Sequence, residues 1–470
     1  MRVKRLLLRF FPPGLIVEFQ RKSGLVGSKT IDLFDLCAAT DVQALAESIV
    51  ESERPLLNRK QVPVLMKLIV RLMEKGGGTT QKPLDLRFEL IRVIPSHILP
   101  LTNVACNKDG SKIITGSYDR SCKVWDIFAS GGSISECARS LEGIHSSVVY
   151  AIAFNNPCCD RIITGSFDKS AILWDADSGV SLSVLSGHEA EIVCVAFSPD
   201  GCSCVTGSMD STARVWSVES GNLISSLKGH EAEIVSVSFN RGGSKVLTAS
   251  LDASAKIWEV STGVCIHTLQ GHSGELSCSL FSFASDICAT GSVDGTSKLW
   301  SVQSGECLDT LSGHGDAVLD VCFNLIGTRV ATASSDCFAR IFNSRTGACV
   351  GILEGHSGEV SKVNFSPSGI LVVTASTDCT ARVWASSTGE CLQILDGFHD
   401  EVFFCAFSYE ADLIITACKD NTCRVWQARA SSVRSGGRPR ALSSLDSVGP
   451  SFGLEDAAYR LRASDDFLSN

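Results

Sequence analysis

The sequence predicts an all-β protein built of eight like modules behind a small α/β segment, and two observations carry that prediction. Aspartates followed six residues later by an aromatic stand at Asp119, Asp168, Asp210, Asp252, Asp294, Asp336, Asp378 and Asp420, 49 apart once and then 42 apart six times. Their aromatic partners are Trp125, Trp174, Trp216, Trp258, Trp300, Phe342, Trp384 and Trp426, so all seven tryptophans of the 470-residue chain share one register. Between these markers the text keeps the two-residue rhythm of strands, as in EIVCVAFSPDG and TARVWSVESG, broken by turns such as Pro199-Asp200-Gly201. Each period therefore reads as about four short strands.

A histidine, usually after glycine, lies about 22 residues before each aspartate, at His97, His145, His188, His230, His272, His314 and His356. In the eighth period Phe398 takes that place, with His399 one residue on. Forty-odd residues, four strands, Gly-His early and Trp-Asp or its relic at the end resemble the WD-repeat family, whose repeats form the blades of a β-propeller. The resemblance implies an eight-bladed WD-repeat β-propeller over about residues 96–427, preceded by the small α/β N-terminal domain. A blade cannot bury both faces of its own small sheet, so blades pack face to face around a channel. Family members close the ring by sharing strands between chain ends, and 86–94, LRFELIRVI, is placed to be the outer strand of the last blade.

His, Ser, Asp and Trp recur together as His97, Ser117, Asp119, Trp125; His145, Ser166, Asp168, Trp174; His188, Ser208, Asp210, Trp216; His230, Ser250, Asp252, Trp258; His272, Ser292, Asp294, Trp300; and His356, Ser376, Asp378, Trp384. A hydrolase triad is one reading, but an active site occurs once and this set recurs in most repeats. The family implies structural tetrads, hydrogen-bonded from the Asp turn through His and Ser to the indole N–H. Repeat six has Phe342, without an N–H, and repeat eight has Phe398 and Cys418, so those two blades are expected to be the less rigid.

The residue before each aspartate is apolar in repeats one to five, at Tyr118, Phe167, Met209, Leu251 and Val293, and becomes Ser335, Thr377 and Lys419 afterwards. In a propeller this position lies on the upper rim, so the apolar arc is a candidate partner-binding patch, with packing on neighbouring loops the alternative. Three residues after the histidine register stand Glu191, Glu233, Glu275, Glu359 and Glu401. Four beyond the aspartates stand Lys123, Arg214, Lys256, Lys298, Arg340, Arg382 and Arg424. Pairing between these two rings is the expected arrangement, each pair weak on its own.

Charge, cysteine and hydropathy exclude several classes. The repeat region carries 20 basic against 36 acidic residues, a net of −16, which disfavours nucleic acid, while residues 1–95 carry +6 and could dock on the ring. No run of 18 apolar residues escapes a charge, and Arg9, Pro12 and Pro13 break the apolar N-terminal run before it reaches signal length. The odd count of 21 cysteines and the absence of any C-x-x-C pair fit a reducing cytosol. Cys265, Cys307, Cys349 and Cys391 are each 42 apart and mark a packing register, Cys158-Cys159 and Cys202-x-Cys204 lack metal-ligand spacing, and GLVGSKT at 24–30 only mimics a phosphate loop. No metal, cofactor or catalysis is expected.

Outside the ring, 3–11 and 15–19 flank Pro12-Pro13-Gly14 as a hairpin, Thr40 is placed to cap a helix over 41–51, and 58–75 carries Val62, Leu65, Leu68, Ile69 and Leu72 at helical spacing. The organisation read from the sequence is thus 1–85 an α/β domain, 86–427 the propeller, and 428–470 a Ser-, Gly- and Arg-rich tail expected to be disordered.

RLLLRFFPPGLIVEFQ, followed by HILPLTNVACNKDGSKIITGSYDRSCKVWD and VVYAIAFNNP, is similar to the WD-repeat dynein assembly factors over about residues 1–427. That resemblance implies a non-enzymatic adaptor coupling preassembled outer-arm axonemal dynein to complex B of the intraflagellar transport machinery, in the cytoplasm, at the ciliary base and in the cilium or flagellum. It implies protein partners, with no nucleic acid and no membrane insertion. The alternative is a substrate receptor of a ubiquitin ligase or a signalling scaffold on the same ring, against which counts the lack of F-box-like text in residues 1–95.

Overall fold

The computed structural model describes residues 2–9, 14–20, 26–33, 41–54, 56–76, 86–107, 110–128, 137, 139–155, 159–409 and 411–430. The chain divides into two units, Arg87–Arg429 and one formed around Met1–Leu86.

In the N-terminal unit, β1 (Arg2–Arg9) pairs antiparallel with β2 (Gly14–Gln20), setting Leu8 opposite Leu15 and Leu6 opposite Val17. A third strand, β3 (Val26–Asp32), extends the sheet through the segment that mimics a phosphate loop. Helix α1 (Val42–Ser52) is capped by Asp41, whose Oδ1 accepts the Gln43 and Ala44 N–H groups at 3.0 and 3.2 Å. The expected cap, Thr40, lies outside the described residues. Helix α2 (Val62–Gly76) buries Leu65, Leu68, Ile69 and Leu72 on one face, and they share a core with Leu15, Val17, Ala46 and Ile49.

The second unit is eight four-stranded antiparallel sheets, an eight-bladed β-propeller. Blade three shows the pattern, its strands Ile192–Phe197, Ser203–Ser208, Thr212–Ser217 and Leu223–Lys228 running outward in chain order. Blade eight departs from it. Its inner three strands are Val402–Phe407, Leu413–Cys418 and Thr422–Ala430, and its outer strand is β4 (Leu86–Pro95), from before blade one. The joint is apolar: Leu413, Ile415 and Val425 of blade eight pack with Ile94 and with Leu101, Ile113 and Trp125 of blade one.

Successive blades share such cores, for example Leu247, Ile257 and Leu269 of blade four with Leu276, Phe281 and Trp300 of blade five. The inner strands lie side by side without a shared ladder, so side chains satisfy their polar edges. Ser277 Oγ donates to the Val318 carbonyl at 2.6 Å and Ser361 Oγ to the Val402 carbonyl at 3.0 Å, while Asp320 Oδ2 accepts the Val363 N–H at 3.1 Å.

Candidate protein-binding face

Blades one to seven each hold one buried polar chain, and its geometry corrects the sequence reading at one member. Histidine Nδ1 lies 2.7–2.9 Å from aspartate Oδ2 in blades one to seven. Its Nε2 lies 2.7–2.8 Å from a hydroxyl, and that hydroxyl belongs to threonine: Thr115, Thr164, Thr206, Thr248, Thr290, Thr332 and Thr374. The same threonine Oγ1 accepts the tryptophan Nε1–H at 2.8–3.0 Å wherever tryptophan is present. Geometry and donor count agree on a neutral imidazole that donates from Nδ1 and accepts the threonine proton at Nε2.

The serines expected in this chain, Ser117, Ser166, Ser208, Ser250, Ser292 and Ser376, stand two residues later on the same strand face and do other work. Each Oγ accepts the N–H of the following aspartate at 3.1 Å. Those of Ser117, Ser208, Ser250, Ser292 and Ser376 also donate to a carbonyl 18 residues upstream, at 2.9–3.1 Å. The physical reason is position: the serine ends its strand at the aspartate turn, whereas the threonine sits mid-strand over the indole. A signal for it was present, since threonine stands four residues before the aspartate in all eight repeats, including the eighth, where serine has become Cys418.

Burial lowers the proton affinity of His97, His188, His230, His272, His314 and His356, against the opposing pull of their aspartates. Burial alone would raise the Asp210 and Asp252 carboxyls. Hydrogen bonds outweigh it, from Thr212 and the Glu189 N–H for Asp210, from Ser254 and the Glu231 N–H for Asp252, and from the histidine in each, bringing both down to about 2. The preceding glycines Gly187, Gly229, Gly271, Gly313 and Gly355 hold φ between +128° and +154°. That φ is strained for any residue with a side chain, which accounts for the glycine before these histidines, and a Cβ on Gly187 would in addition have to displace the Arg214 guanidinium.

Blades six and eight depart as their sequences do. In blade six His314 and Thr332 keep their bond while Phe342 offers no N–H. In blade eight Phe398 replaces histidine, the Arg424 guanidinium lies 4.1 Å over its ring, and Arg424 reaches Asp420 at 3.3 Å. Cys418 stands in for serine, donating to the Asp400 carbonyl and accepting the Asp420 N–H.

The rim residues occupy the end of the ring that carries the His–Asp pairs. Tyr118, Met209 and Val293 are 44, 44 and 52% exposed, whereas Phe167 and Leu251 are half-buried. Phe167 stacks on Tyr150 with ring centroids 5.1 Å apart, and Tyr150 has its phenol pushed up by burial and by the nearby Tyr118. The expected pairing between the glutamate and strand-cation rings does not form. Arg340 and Arg424 pair with Asp336 and Asp420, Lys256 and Lys298 donate to Thr268 and Thr310 on the outer strand, and Glu401 takes Lys419. The strand cations are thus taken up by other partners: Lys256 and Lys298 by the outer strand, Arg340 and Arg424 by the turn aspartates of their own blades, and Lys123 by the Ser96 carbonyl.

At the channel wall a cavity of about 490 Å³ is lined by Cys194, Ser236, Cys278, Asp320 and Lys362 among others. Lys362 Nζ meets Asp320 Oδ1 at 2.9 Å. Among the described residues no group of three or more His, Cys, Asp or Glu is gathered so as to hold a metal, and no helix is long and apolar enough to cross a membrane.

This repeated geometry coincides with matches to the family model described as WD domain, G-beta repeat, at residues 88–126, 135–175, 179–217, 221–259, 263–301, 305–343, 347–385 and 389–427. The chain belongs to the WD-repeat family. Within that family it is similar to proteins called "Dynein assembly factor with WD repeat domains 1": the human one is 51% identical over 199 residues, and those of Xenopus laevis and Danio rerio are each 50% identical over the same length. Each match covers 42% of this chain and 45% of the relative, so the matched stretch is somewhat under half of either protein. Among solved structures, the chain is similar to the crystal structure of the computationally designed Ika8 protein, at TM-score 0.64 and 28% identity over 72% of this chain and 99% of that one.

Proposed function

We propose that this WD-repeat chain is a non-enzymatic adaptor in dynein assembly, coupling preassembled outer-arm axonemal dynein to complex B of the intraflagellar transport machinery. It works in the cytoplasm, at the ciliary base and within the cilium. The observation that carries the reading is the roughly 50% identity to relatives named for dynein assembly. A scaffold role is supported by the polar chains themselves. The hydroxyl on each imidazole is a buried threonine that also holds an indole, and the arrangement recurs from blade to blade, as a structural brace does and an active site does not. The exposed arc of Tyr118, Met209 and Val293, with Phe167 and Leu251 beside it, is the proposed contact patch.

The test is removal of the gene from cells that build motile cilia. Axonemes lacking outer dynein arms, restored by the full chain, are expected; a full set of outer arms in its absence would overturn the proposal. Deleting residues 1–85 while keeping β4 is expected to leave a folded ring that no longer co-purifies with the transport complex. Retained co-purification would move that contact onto the ring.

A further inference from the structure

We infer that the rim takes a basic segment of a partner protein carrying aromatic or aliphatic anchors, its anchors on blades one and two and its lysines or arginines over the glutamates of blades three to five. The inference rests on the adaptor reading only for the existence of a partner; the chemistry comes from the surface itself.

Two registers meet at the rim. The N–H of each rim residue donates to the carbonyl of the residue three beyond the histidine register, Tyr118 to Pro100, Phe167 to Val148, Met209 to Glu191, Leu251 to Glu233 and Val293 to Glu275. The two residues of each pair are therefore neighbours on one surface, and along it the second member changes from apolar in blades one and two to acidic in blades three to five.

Other side chains sharpen the division. On blades one and two Ile98 is 86% exposed and Ile144 is exposed as well, while Tyr150, near Tyr118, keeps 37% of its surface open beside its stack on Phe167. The Ile98 N–H donates to the carboxylate of Asp119, the residue after Tyr118, so an exposed isoleucine and a tyrosine share this part of the rim, the type of apolar ground on which buried aromatic anchors contribute most to binding. On blades three and four Glu189 and Glu231 follow the histidines and are exposed, adding to Glu191 and Glu233. Among the described residues none of these four glutamates is in an ion pair, in contrast to Glu401 of blade eight, which Lys419 neutralises. With a net −16 on the repeat region, free acids next to an apolar platform complement a segment that is basic on one side of its anchors.

The test uses the full chain and a labelled synthetic peptide of Leu-Trp-Leu followed by alternating lysine and serine, with a copy carrying glutamate for lysine, read by fluorescence anisotropy. The lysine peptide is expected to bind and the glutamate copy to bind at least about tenfold more weakly. The double substitution Ile98→Ser, Tyr118→Ser is expected to weaken binding at least about tenfold at any ionic strength. Glu191→Gln with Glu233→Gln is expected to weaken it comparably in about 50 mM salt and to match the unaltered chain in about 500 mM salt, where surface charges are screened. Glu359→Gln on blade seven is expected to change nothing. Equal binding of the two peptides, indifference to either double substitution, or an equal loss from Glu359→Gln would overturn the inference. The two readings separate: a rim that binds the peptide as described in cells whose outer arms do not need the chain leaves the inference and removes the adaptor role. Dynein delivery that is intact in chains whose rim variants bind the probe normally leaves the adaptor role and removes the inference.

Discussion

The side-chain amide of Gln393 exchanges two hydrogen bonds with the main chain of Phe88, Oε1 accepting the Phe88 N–H at 2.8 Å and Nε2 donating to the Phe88 carbonyl at 2.7 Å. Gln393 lies on the outer strand of blade seven and Phe88 on β4, so one glutamine ties the strand that closes the ring to the sheet beside it, across 305 residues of chain. On the other flank, Arg92 of β4 donates to the Asp126 and Ile127 carbonyls of blade one.

Gln393→Leu keeps the bulk and removes both bonds, leaving the Phe88 N–H and carbonyl partnered only by whatever water reaches them. A loss of about 1–3 kcal/mol in urea-induced unfolding is expected. A midpoint unchanged by the substitution would show that the amide pair adds nothing to closure.

Thr206→Val is nearly isosteric and strands both His188 Nε2 and the Trp216 indole N–H in a buried site, whereas Ser208→Ala removes a hydroxyl from the edge of the turn. The first is expected to cost about 2–5 kcal/mol and the second about 1 kcal/mol. In blade eight Thr416 has an indole and no histidine to satisfy, so Thr416→Val is expected to cost less than Thr206→Val. Denaturation of the three variants side by side decides it; a serine variant as damaging as the threonine one would contradict the chain drawn above.

Acid is expected to loosen the ring in two stages. The six histidines whose proton affinity is lowered by burial are more easily protonated unfolded than folded, so their contribution is complete above the ordinary value of 6.5 and is lost as pH falls below it. Asp210 and Asp252, held at about 2 against an ordinary 3.8, add a second loss between those two values. Urea midpoints measured from pH 8 downward check the sign, and a midpoint that rises on acidification from 6.5 would be incompatible with neutral, buried imidazoles.

Blades six and eight each lack one donor of the chain, the indole N–H at Phe342 and the imidazole at Phe398. Their backbone amides are expected to exchange with deuterium faster than those of blades three to five. Protection equal across the ring would mean that the Arg424–Phe398 contact and the packing of Phe342 compensate in full.

The ring and its register were readable from the sequence because a 42-residue period leaves few alternatives, and β4 was found because LRFELIRVI is strand-like text where a closing strand is needed. The threonine was missed although it never varies, since the Ser-His-Asp combination draws attention to serine and nothing in a list of letters says which of two hydroxyls on one strand face lies over the indole. β3 was missed because its glycine and lysine suppress the alternation that marked its neighbours. The two charged rings were read as partners from spacing alone, but nearer acceptors take the cations first, the turn aspartates four residues back for Arg340 and Arg424 and outer-strand threonines for Lys256 and Lys298.

Because β4 precedes every other strand of the ring, the ring's fastener leaves the ribosome before the strand it must pair with. About 330 residues have to follow before Thr422–Ala430 emerges to receive it, which at about 5–20 residues per second is roughly a quarter of a minute to a little over a minute of synthesis. Throughout that interval a ten-residue strand rich in leucine and isoleucine has no mate. A nascent chain of this design needs shelter at its beginning for as long as its end is unmade.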